Sequence, residues 1–264
     1  MTDEERLVWR RFEQLEQRVL AQGEALELSD ETRALLSGGA RLVTISTGDI
    51  EDALRGVSTA TTLLREIGRR IRDGSLRLGK VDSQVDALRD KGDFADARKV
   101  IEDALAAEVV SHYREQLEIR LDYLATFETI FLTGQVEQDF HPWGQIRALA
   151  LRVQQGQSLE LRDDLRDFLR RTAPTVAISE TETEESLRTV GGTEALLAMM
   201  LKRMDDGKQR LSQALHRMIR CQEAGDLEGA RHQLRAVLAV EIVPQYRRMA
   251  EENLRSLDEL PSAS

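Results

Sequence analysis

Apolar side chains recur at alternating steps of three and four residues along two long segments of the chain. Spacing of this kind places one stripe along a helix and is typical of helices that pack lengthwise against a neighbour. Several heptads of it predict, in each segment, a helix of roughly 33 residues and about 50 Å. The stripe positions are Val57, Ala60, Leu64, Ile67, Ile71, Gly74, Leu78, Val81, Val85 and Leu88 in the first segment, and Val190, Thr193, Leu197, Met200, Met204, Gly207, Leu211, Ala214, Met218 and Cys221 in the second.

A glycine–aspartate pair follows each stripe, Gly92-Asp93 in the first segment and Gly225-Asp226 in the second. Glycine often ends a helix and aspartate caps the next one, so each pair predicts a turn into a partner helix. We therefore expect a long antiparallel helical hairpin in each segment. The apolar positions on the partner helix of the first segment are Ala97, Ile101, Leu105, Val109, Tyr113, Leu117, Leu121 and Leu124.

The second segment is a copy of the first. Residues 23–124 align with residues 156–257 without a gap, at an offset of 133 positions, since 156 − 23 = 133. A repeat this long indicates a duplicated domain rather than a short solenoid repeat. Pro244 should bend the last helix of the second copy, whereas Ser111 at the equivalent position lifts that constraint in the first.

A head of short helices precedes each hairpin. Serines followed by acidic residues predict helix starts, and these serines are Ser29, Ser46 and Ser179. Gly38-Gly39 predicts the end of the second short helix. Residues 41–45, and residues 176–178 in the second copy, are interpreted as short extended or buried links.

These patterns predict an all-α protein of two tandem homologous helical domains, each a small helical head on a long antiparallel helical hairpin. The predicted boundaries are residues 1–126 for the first domain, 127–142 for the connector and 143–260 for the second domain.

The register of the predicted hairpin places two pairs of complementary residues, retained in both copies, opposite each other. An arginine faces a glutamate in both copies, and a glycine faces a tyrosine, so we expect an ion pair beside a notch that the tyrosine ring fills. A glycine inside a helix costs roughly 1 kcal/mol relative to alanine, which favours a packing role for it. The pairs are Arg77 with Glu108, Arg210 with Glu241, Gly74 with Tyr113, and Gly207 with Tyr246.

Composition narrows the classes of partner. The 264 residues carry a net charge of −10, which opposes binding to nucleic-acid phosphates and to anionic lipid. The sequence has no apolar run long enough to span a membrane and no signal-peptide pattern at its start. The single cysteine, Cys221, excludes an intramolecular disulfide. We expect a cytoplasmic protein that binds neither nucleic acid nor membrane.

The repeated unit resembles the DUSAM domain, a myxobacterial paralogous family of unknown function. The resemblance implies a bacterial, intracellular protein and brings no activity, cofactor or catalytic residue. The first copy departs from the pattern because it lacks the proline. The motifs are the Gln-Gly-x-x-Leu-Glu-Leu opening at Gln22 and Gln155, the Val-x-Ile-Ser turn at Val43 and Val176, and the segments Ala224–Arg231 and Ala239–Arg247.

Residue types that carry chemistry do not form a recognisable site. The histidines lack metal-ligand spacing, and none is retained in both copies. Cys221 occupies a stripe position, which favours a buried apolar role over a nucleophile. The retained carboxylates are explained by capping and ion pairing as well as by acid–base work. The histidines are His112, His141, His216 and His232, and the carboxylates are Glu27, Asp30, Glu108 and Glu118.

Two further readings remain as alternatives. The head could be taken for a helix-turn-helix, but acidic residues at its would-be recognition helix oppose DNA. A run of basic residues from Arg65 to Lys80 is the one place where an anion could bind, although a solvated helix face explains it too. We therefore predict no catalytic residue, no cofactor and no metal.

The copies differ in apolar residues outside the stripe. An additional apolar helix face is usually covered by another protein surface. We therefore interpret these residues as an interface between the copies or with another chain. An enlarged core is the alternative. The candidates are Met199, Leu201, Leu215 and Ile219 in the second copy, and Val100, Ile119 and Tyr123 in the first.

The leading hypothesis is that the chain is a non-enzymatic intracellular protein that binds another protein. One concrete version is an inhibitor or escort of its partner. Binding to a second copy of itself is a further option. The alternatives are a homo-oligomeric helical structural protein and a nucleotide-binding or enzymatic regulator.

Overall fold

The computed structural model describes residues 3–259, and for residues 3–6 the backbone alone. Every regular element in this range is helical and no strand occurs in it, which confirms the predicted all-α class. The helices are α1 Asp3–Glu16, α2 Asp30–Leu42, α3 Thr47–Ala53, α4 Val57–Arg89, α5 Phe94–Ala107, α6 Ser111–Thr133, α7 Pro142–Gln154, α8 Asp163–Thr172, α9 Glu180–Ser186, α10 Val190–Glu223, α11 Leu227–Val240 and α12 Pro244–Asp258. A π-helical turn, Gln17–Ala21, follows α1, and a 3-10 helix, Ala173–Val176, follows α8.

The chain divides into two compact units, Met1–Ala125 and Thr126–Ser264, called here unit 1 and unit 2. The division falls inside α6, so the predicted connector at 127–142 belongs to unit 2. Its first residues are the end of α6, and α7 begins at Pro142. Arg152 of α7 donates to the carbonyl oxygens of Phe131 and Leu132 at 2.8 and 2.7 Å, which holds the end of α6 within this unit.

The head of unit 1 packs on the first half of α4. Ser29 and Ser46 cap α2 and α3 by accepting from the backbone N–H three residues on, as predicted. Ser179 and Glu182 form a complete capping box at the start of α9 in unit 2. Apolar side chains from α1, α2 and α4 form one buried cluster, which includes Phe12, Leu36, Ala40, Leu64 and Ile67.

The prediction that Gly38-Gly39 ends the second short helix is wrong, because α2 continues through both glycines to Leu42. The glycines make room for α1: a Cβ at Gly39 would lie 3.1 Å from the Phe12 ring, and one at Gly38 would lie 3.3 Å from Val8. Tight packing of two helices thus explains a glycine pair that resembles a stop signal.

The short links 41–45 and 176–178 are partly buried, which agrees with one alternative of the prediction, but they are not extended. Val43 and Val176 are both 0% exposed. Thr44 and Ala177 both have φ of 62°, a left-handed turn that L-residues seldom adopt. An arginine of the long helix holds each turn: Arg70 donates to the carbonyl oxygens of Val43 and Thr44 at 2.9 and 3.1 Å. Arg203 does the same for the carbonyls of unit 2's turn.

The long helices have the predicted length and ends. Helix α4 has 33 residues and α10 has 34. Gly92 and Gly225 adopt φ of 84° and 75°, which permits the tight turn into α5 and α11.

The partner of the long helix is two helices, and the prediction of a single partner helix from Ala97 to Leu124 is wrong. Helix α5 ends at Ala107, and the chain reverses before α6 begins at Ser111. Tyr113, near the start of α6, donates to the carbonyl oxygen of Ile71 at 3.0 Å, and Arg120 pairs with Asp82 at 3.0 Å between Nη2 and Oδ2. Because both helices advance together, α6 runs parallel to α4 and antiparallel to α5.

Unit 2 shows the same reversal. Arg247 of α12 donates to the carbonyl of Leu238 at 2.7 Å, and Arg231 of α11 donates to the carbonyl of Leu257 at 2.9 Å. The start of α12 therefore lies beside the end of α11, and its end lies beside the start of α11. Each unit is a head on a three-helix bundle rather than on a two-helix hairpin.

Candidate functional site

A buried glutamate fixes each chain reversal, at Glu108–Val110 in unit 1 and Glu241–Val243 in unit 2; each of these segments is called a corner here. In unit 2, Oε1 of Glu241 accepts from the backbone N–H groups of Ile242 and Val243 at 3.0 and 2.8 Å. Its Oε2 accepts from Nε of Arg210 at 2.9 Å, and the residue is 1% exposed. The carboxylate thus binds the first backbone donors before α12 and neutralises its own charge.

Unit 1 repeats this arrangement without a proline. Oε1 of Glu108 accepts from the N–H of Val110 at 2.8 Å, and Oε2 pairs with Nη1 of Arg77. The Arg–Glu pairs that the sequence predicts are therefore present in both units. The same carboxylates have a second role that the sequence interpretation missed, since they hold the backbone where the chain turns back.

A second arginine covers the carbonyl groups that each reversal leaves open. Nη1 of Arg114 donates to the carbonyls of Leu105 and Glu108 at 2.7 and 3.2 Å. Arg247 makes the same two bonds in unit 2, to Leu238 and Glu241. Carbonyl groups at a helix C-terminus lack partners within the helix, so a guanidinium group there is favourable. The retention of this arginine at the same position in both copies was the sequence signal that could have revealed it.

The tyrosine ring fills the predicted notch in both units. A Cβ at Gly74 would lie under 3.0 Å from atoms of the Tyr113 ring, and one at Gly207 would lie as close to Tyr246. The Tyr246 hydroxyl donates to the carbonyl oxygen of Met204 at 2.9 Å. Burial raises the pKa of Tyr113, with a further contribution from the Glu108 carboxylate, and burial raises the pKa of Tyr246.

One tryptophan packs near each tyrosine. Trp9 meets Tyr113 edge to face with ring centroids 6.2 Å apart, and Trp143 meets Tyr246 at 5.5 Å. The two tryptophans do not align at the 133-residue offset, so this shared feature could not be read from the repeat.

The outer side of each corner is apolar. Val109 is 54% exposed, and its counterpart Ile242 is 51% exposed. Exposed alanines or valines precede each glutamate. The residues of this apolar corner face are Ala106, Ala107 and Val109 in unit 1, and Ala239, Val240 and Ile242 in unit 2.

The seven interface candidates differ in exposure. Ile119 is 53% exposed and Ile219 is 48% exposed. The half-buried candidates are Val100, Tyr123, Met199, Leu201 and Leu215.

One of the half-buried candidates, Leu215, contributes to the core of unit 2, and a second, Leu201, replaces a glycine of unit 1. Leu215 packs against both apolar clusters along α10 to α12. Leu201 replaces Gly68, and the fully buried Leu149 replaces Glu16, whose carboxylate lies against Gly68 in unit 1. Leucines thus stand in unit 2 at the two positions where unit 1 has a polar contact. The packing of Leu215 favours the enlarged-core interpretation for that candidate.

The basic run of α4 is largely occupied within the chain. Arg70 and Arg77 hold the head turn and the corner, and Arg69 pairs with Glu66 and Asp73. Hydrogen bonds from Arg69, opposed by some burial, lower the pKa of Glu66 to about 2. These pairs account for the charge pattern that suggested an anion site.

The cysteine lies in an apolar environment. Cys221 is half-buried and packs against the cluster of Met218, Leu234 and Leu257. Within the described residues, no group of three or more histidine, cysteine, aspartate or glutamate side chains is placed to hold a metal ion.

A cleft of about 880 Å³ opens in unit 2 beside the loop that precedes α7. The buried amide of Gln145 holds this loop through the backbone of Glu137 and Phe140. The cleft is lined by Val136, Glu137, Asp139, Phe140, His141 and Phe168, with Arg171 and Thr175 also at its wall. In unit 1, Phe12 occupies the position of Gln145.

Searching the part of the chain that the structure describes finds no helix long and apolar enough to cross a membrane.

Comparison with known proteins identifies a family. The sequence model of a family described as "Protein of unknown function (DUF2379)" matches residues 8–124 and again residues 141–257. The two matches are offset by 133 residues, since 141 − 8 = 133, the same offset that the sequence repeat shows. Searches of curated proteins and of solved structures found no match.

Proposed function

The chain belongs to the DUF2379 family, with two tandem copies of its domain, and from this premise we propose that it is a non-enzymatic module that binds another protein. The proposal assigns the binding to exposed apolar side chains on rigid helical supports. An inhibitor or escort of a partner protein is its most concrete form.

The apolar corner face is the observation that carries the proposal. Each unit places a branched aliphatic residue outward at the equivalent position of its own corner. These residues are Val109 and Ile242, each about half exposed. Scattered exposed aliphatic residues are common. Here each lies among further exposed apolar residues and next to a buried glutamate that fixes the backbone and pairs with an arginine. A preorganised apolar patch loses little conformational entropy when a partner covers it.

Affinity capture of the full chain from its native host tests the proposal. A tagged wild-type protein should enrich a specific partner, identified by mass spectrometry. The double variant Val109→Ser with Ile242→Ser should lower that enrichment about tenfold or more, because burial of one such side chain is worth roughly 1.5–3 kcal/mol.

Leu132→Ser provides the matched control. Leu132 is 58% exposed but lies outside both corners, so this variant should capture the partner as well as the wild type. Equal capture by the corner variant, or no specific partner for the wild type, would contradict the proposal.

Self-association remains the alternative class, and light scattering with size exclusion distinguishes it. A homo-oligomeric structural protein would show a mass above 29.9 kDa for the purified chain. If that mass falls to the monomer value in the corner variant, the corners bind a second copy instead of another protein.

The cleft in unit 2 favours the second candidate function, a regulator that binds a small molecule or nucleotide. Its wall combines aromatic rings with charged side chains, as ligand sites do. Thermal stabilisation of the full chain by a nucleotide, lost in Phe168→Ala but not in the corner variant, would support this candidate over the interaction module.

We also propose that the repeated domain is a DUSAM domain of myxobacterial origin, and that the protein is cytoplasmic. The sequence motifs support the name, and the single cysteine and acidic charge support the compartment. Cell fractionation of the host tests the location.

A further inference from the structure

We propose that each corner binds a short segment of a partner protein that carries a carboxylate beside an aliphatic side chain. This inference rests on the proposed interaction function and adds the chemistry of the partner. It follows from arginine groups at the corner that their contacts within the chain leave incompletely used.

The arginine that pairs with the buried glutamate has unused donors. A guanidinium group has five N–H donors. Arg77 bonds to Glu108 through Nη1, and Arg210 bonds to Glu241 through Nε. These arginine side chains are 32% and 36% exposed, whereas the glutamate side chains are 1% and 0% exposed. A ligand at the corner therefore meets the cation and not the anion of each pair.

The second arginine adds positive charge at the same place. Arg114 and Arg247 each bond through Nη1 to two carbonyl groups at the corner. Carbonyl groups carry no net charge, so the groups bonded at each corner are two guanidinium groups and one buried carboxylate. In unit 2 the Asp206 carboxylate, which pairs with Lys202, also interacts with Arg210 and offsets part of this charge. Glu251, 4.0 Å from Arg247, offsets part of this charge in unit 2.

The charge contrast with the rest of the chain gives the corner its selectivity. A net charge of −10 repels acidic segments from most of the surface. A local cationic site can hold a single carboxylate, and guanidinium groups bind carboxylates in a defined geometry.

The adjacent aliphatic face selects against a purely charged ligand. Val109 in unit 1, and Val240 and Ile242 in unit 2, directly flank the glutamate that the arginine binds. An aliphatic side chain from the ligand would cover this face while its carboxylate meets the guanidinium group. A phosphodiester backbone offers no such apolar group, and the net charge of the chain repels it.

Selection from a random peptide-display library against the full chain tests the inference. Enriched peptides should contain Asp or Glu within two positions of Leu, Ile, Val or Met. A synthetic peptide of the enriched sequence should bind at least tenfold more weakly to Val109→Ser with Ile242→Ser than to wild type or to Leu132→Ser. The same peptide with its acidic residues changed to amides should also lose tenfold or more, and raised salt should weaken the unmodified peptide.

The double variant Val109→Thr with Ile242→Thr, which keeps a β-branched side chain at both positions, guards against a folding defect in the serine variant and should weaken the peptide in the same direction. Enriched peptides without acidic residues, equal binding to the corner variants, or no enrichment at all would overturn the inference. The proposed function is tested separately. Affinity capture from the host shows whether binding of a partner depends on the corner, whatever the charge of that partner.

Discussion

Single buried glutamates decide where this chain turns back. The Glu241 carboxylate accepts two backbone N–H groups and pairs with Arg210, so three donors depend on one side chain. A buried donor without a partner costs about 1–3 kcal/mol, which is more than most surface contacts contribute. The corner therefore concentrates much of its stability in one residue.

Glu241→Ala should lower the free energy of unfolding of unit 2 by about 3 kcal/mol, because two N–H groups and an arginine lose their acceptor. Glu241→Gln should cost less, since an amide oxygen still accepts from the backbone. Urea unfolding followed by tryptophan fluorescence measures both. The exposed Glu252→Ala is the control and should change stability by less than about 0.5 kcal/mol. Equal losses for the alanine and glutamine variants would mean that charge, not backbone capping, holds the corner.

Gly74 and Gly79 lie in the same helix and should respond in opposite directions to alanine. A Cβ at Gly79 would meet nothing within 4 Å, so Gly79→Ala should stabilise by up to about 1 kcal/mol. A Cβ at Gly74 would overlap the Tyr113 ring, so Gly74→Ala should destabilise by about 1–3 kcal/mol. Thermal unfolding by circular dichroism measures both shifts. A stabilising Gly74→Ala would show that the ring does not fill the notch.

At the scale of elements, periodicity predicted the long helices well and their partners less well. The stripe from Val57 to Leu88 continues without interruption, and the structure forms one helix there. The predicted stripe from Ala97 to Leu124 resumes after the reversal, because α5 and α6 both pack against α4. At the reversal itself the stripe is broken, since Val109 is 54% exposed. A pattern of apolar spacing reports which side is buried, and it does not record a change of direction between two helices that share a buried side.

Glycine signals were ambiguous for a similar reason. Gly92 ends a helix through its positive φ, whereas Gly39 stays helical and receives the Phe12 ring. Both roles need the absence of a side chain, so sequence alone does not separate a stop from a close helix contact. The Arg77–Glu108 pair could be predicted because the turn at Gly92 fixes the register of α5 against α4. Tyr113 lies beyond the reversal, so that register does not set its contact with Gly74, and the predicted pair is present because Tyr113 follows the corner closely.

The proline at the second corner follows the reversal and does not cause it. Pro244 is the first residue of α12, where a missing N–H has no cost, and Ser111 occupies that place in α6. Pro244→Ser should therefore keep the helical content and lose only about 0.4–1 kcal/mol, while Ser111→Pro should gain a similar amount. Far-UV circular dichroism and urea unfolding measure the exchange. A drop in helical content in Pro244→Ser would show that the proline makes the corner.

At the scale of the whole molecule, the two units hold equivalent helices together with different contacts at one pair of positions. In unit 1, Asp82 of α4 pairs with Arg120 of α6. In unit 2 the equivalent residues are Leu215, which packs into the apolar clusters, and Asn253. Duplication has thus kept the fold and exchanged an ion pair for apolar contact.

This difference predicts that the Asp82–Arg120 pair adds a salt response to unit 1 at a position where unit 2 has none. Unit 2 has other ion pairs between helices, such as Arg231 with Asp258. Salt screens half-exposed ion pairs, which contribute about 0.2–1 kcal/mol each, and leaves apolar contacts largely unaffected. One tryptophan reports each unit, since Trp9 packs near Tyr113 and Trp143 near Tyr246. In Trp143→Phe, the remaining fluorescence follows unit 1, and moving from about 0.05 to 0.5 M NaCl should lower its unfolding free energy by up to about 1 kcal/mol.

The double substitution Asp82→Leu with Arg120→Asn, made in the same background, gives unit 1 the residues that unit 2 carries. It should remove most of the salt response without loss of helical content, because the leucine can join the apolar side of α4. An unchanged salt response in this variant would assign the effect to other ion pairs of unit 1, such as that between Glu16 and Arg72. A loss of folding would show instead that a leucine at this position is stable only together with the other leucines of unit 2, Leu149 and Leu201. The difference between the copies would then involve several residues of this helix face and not a single pair.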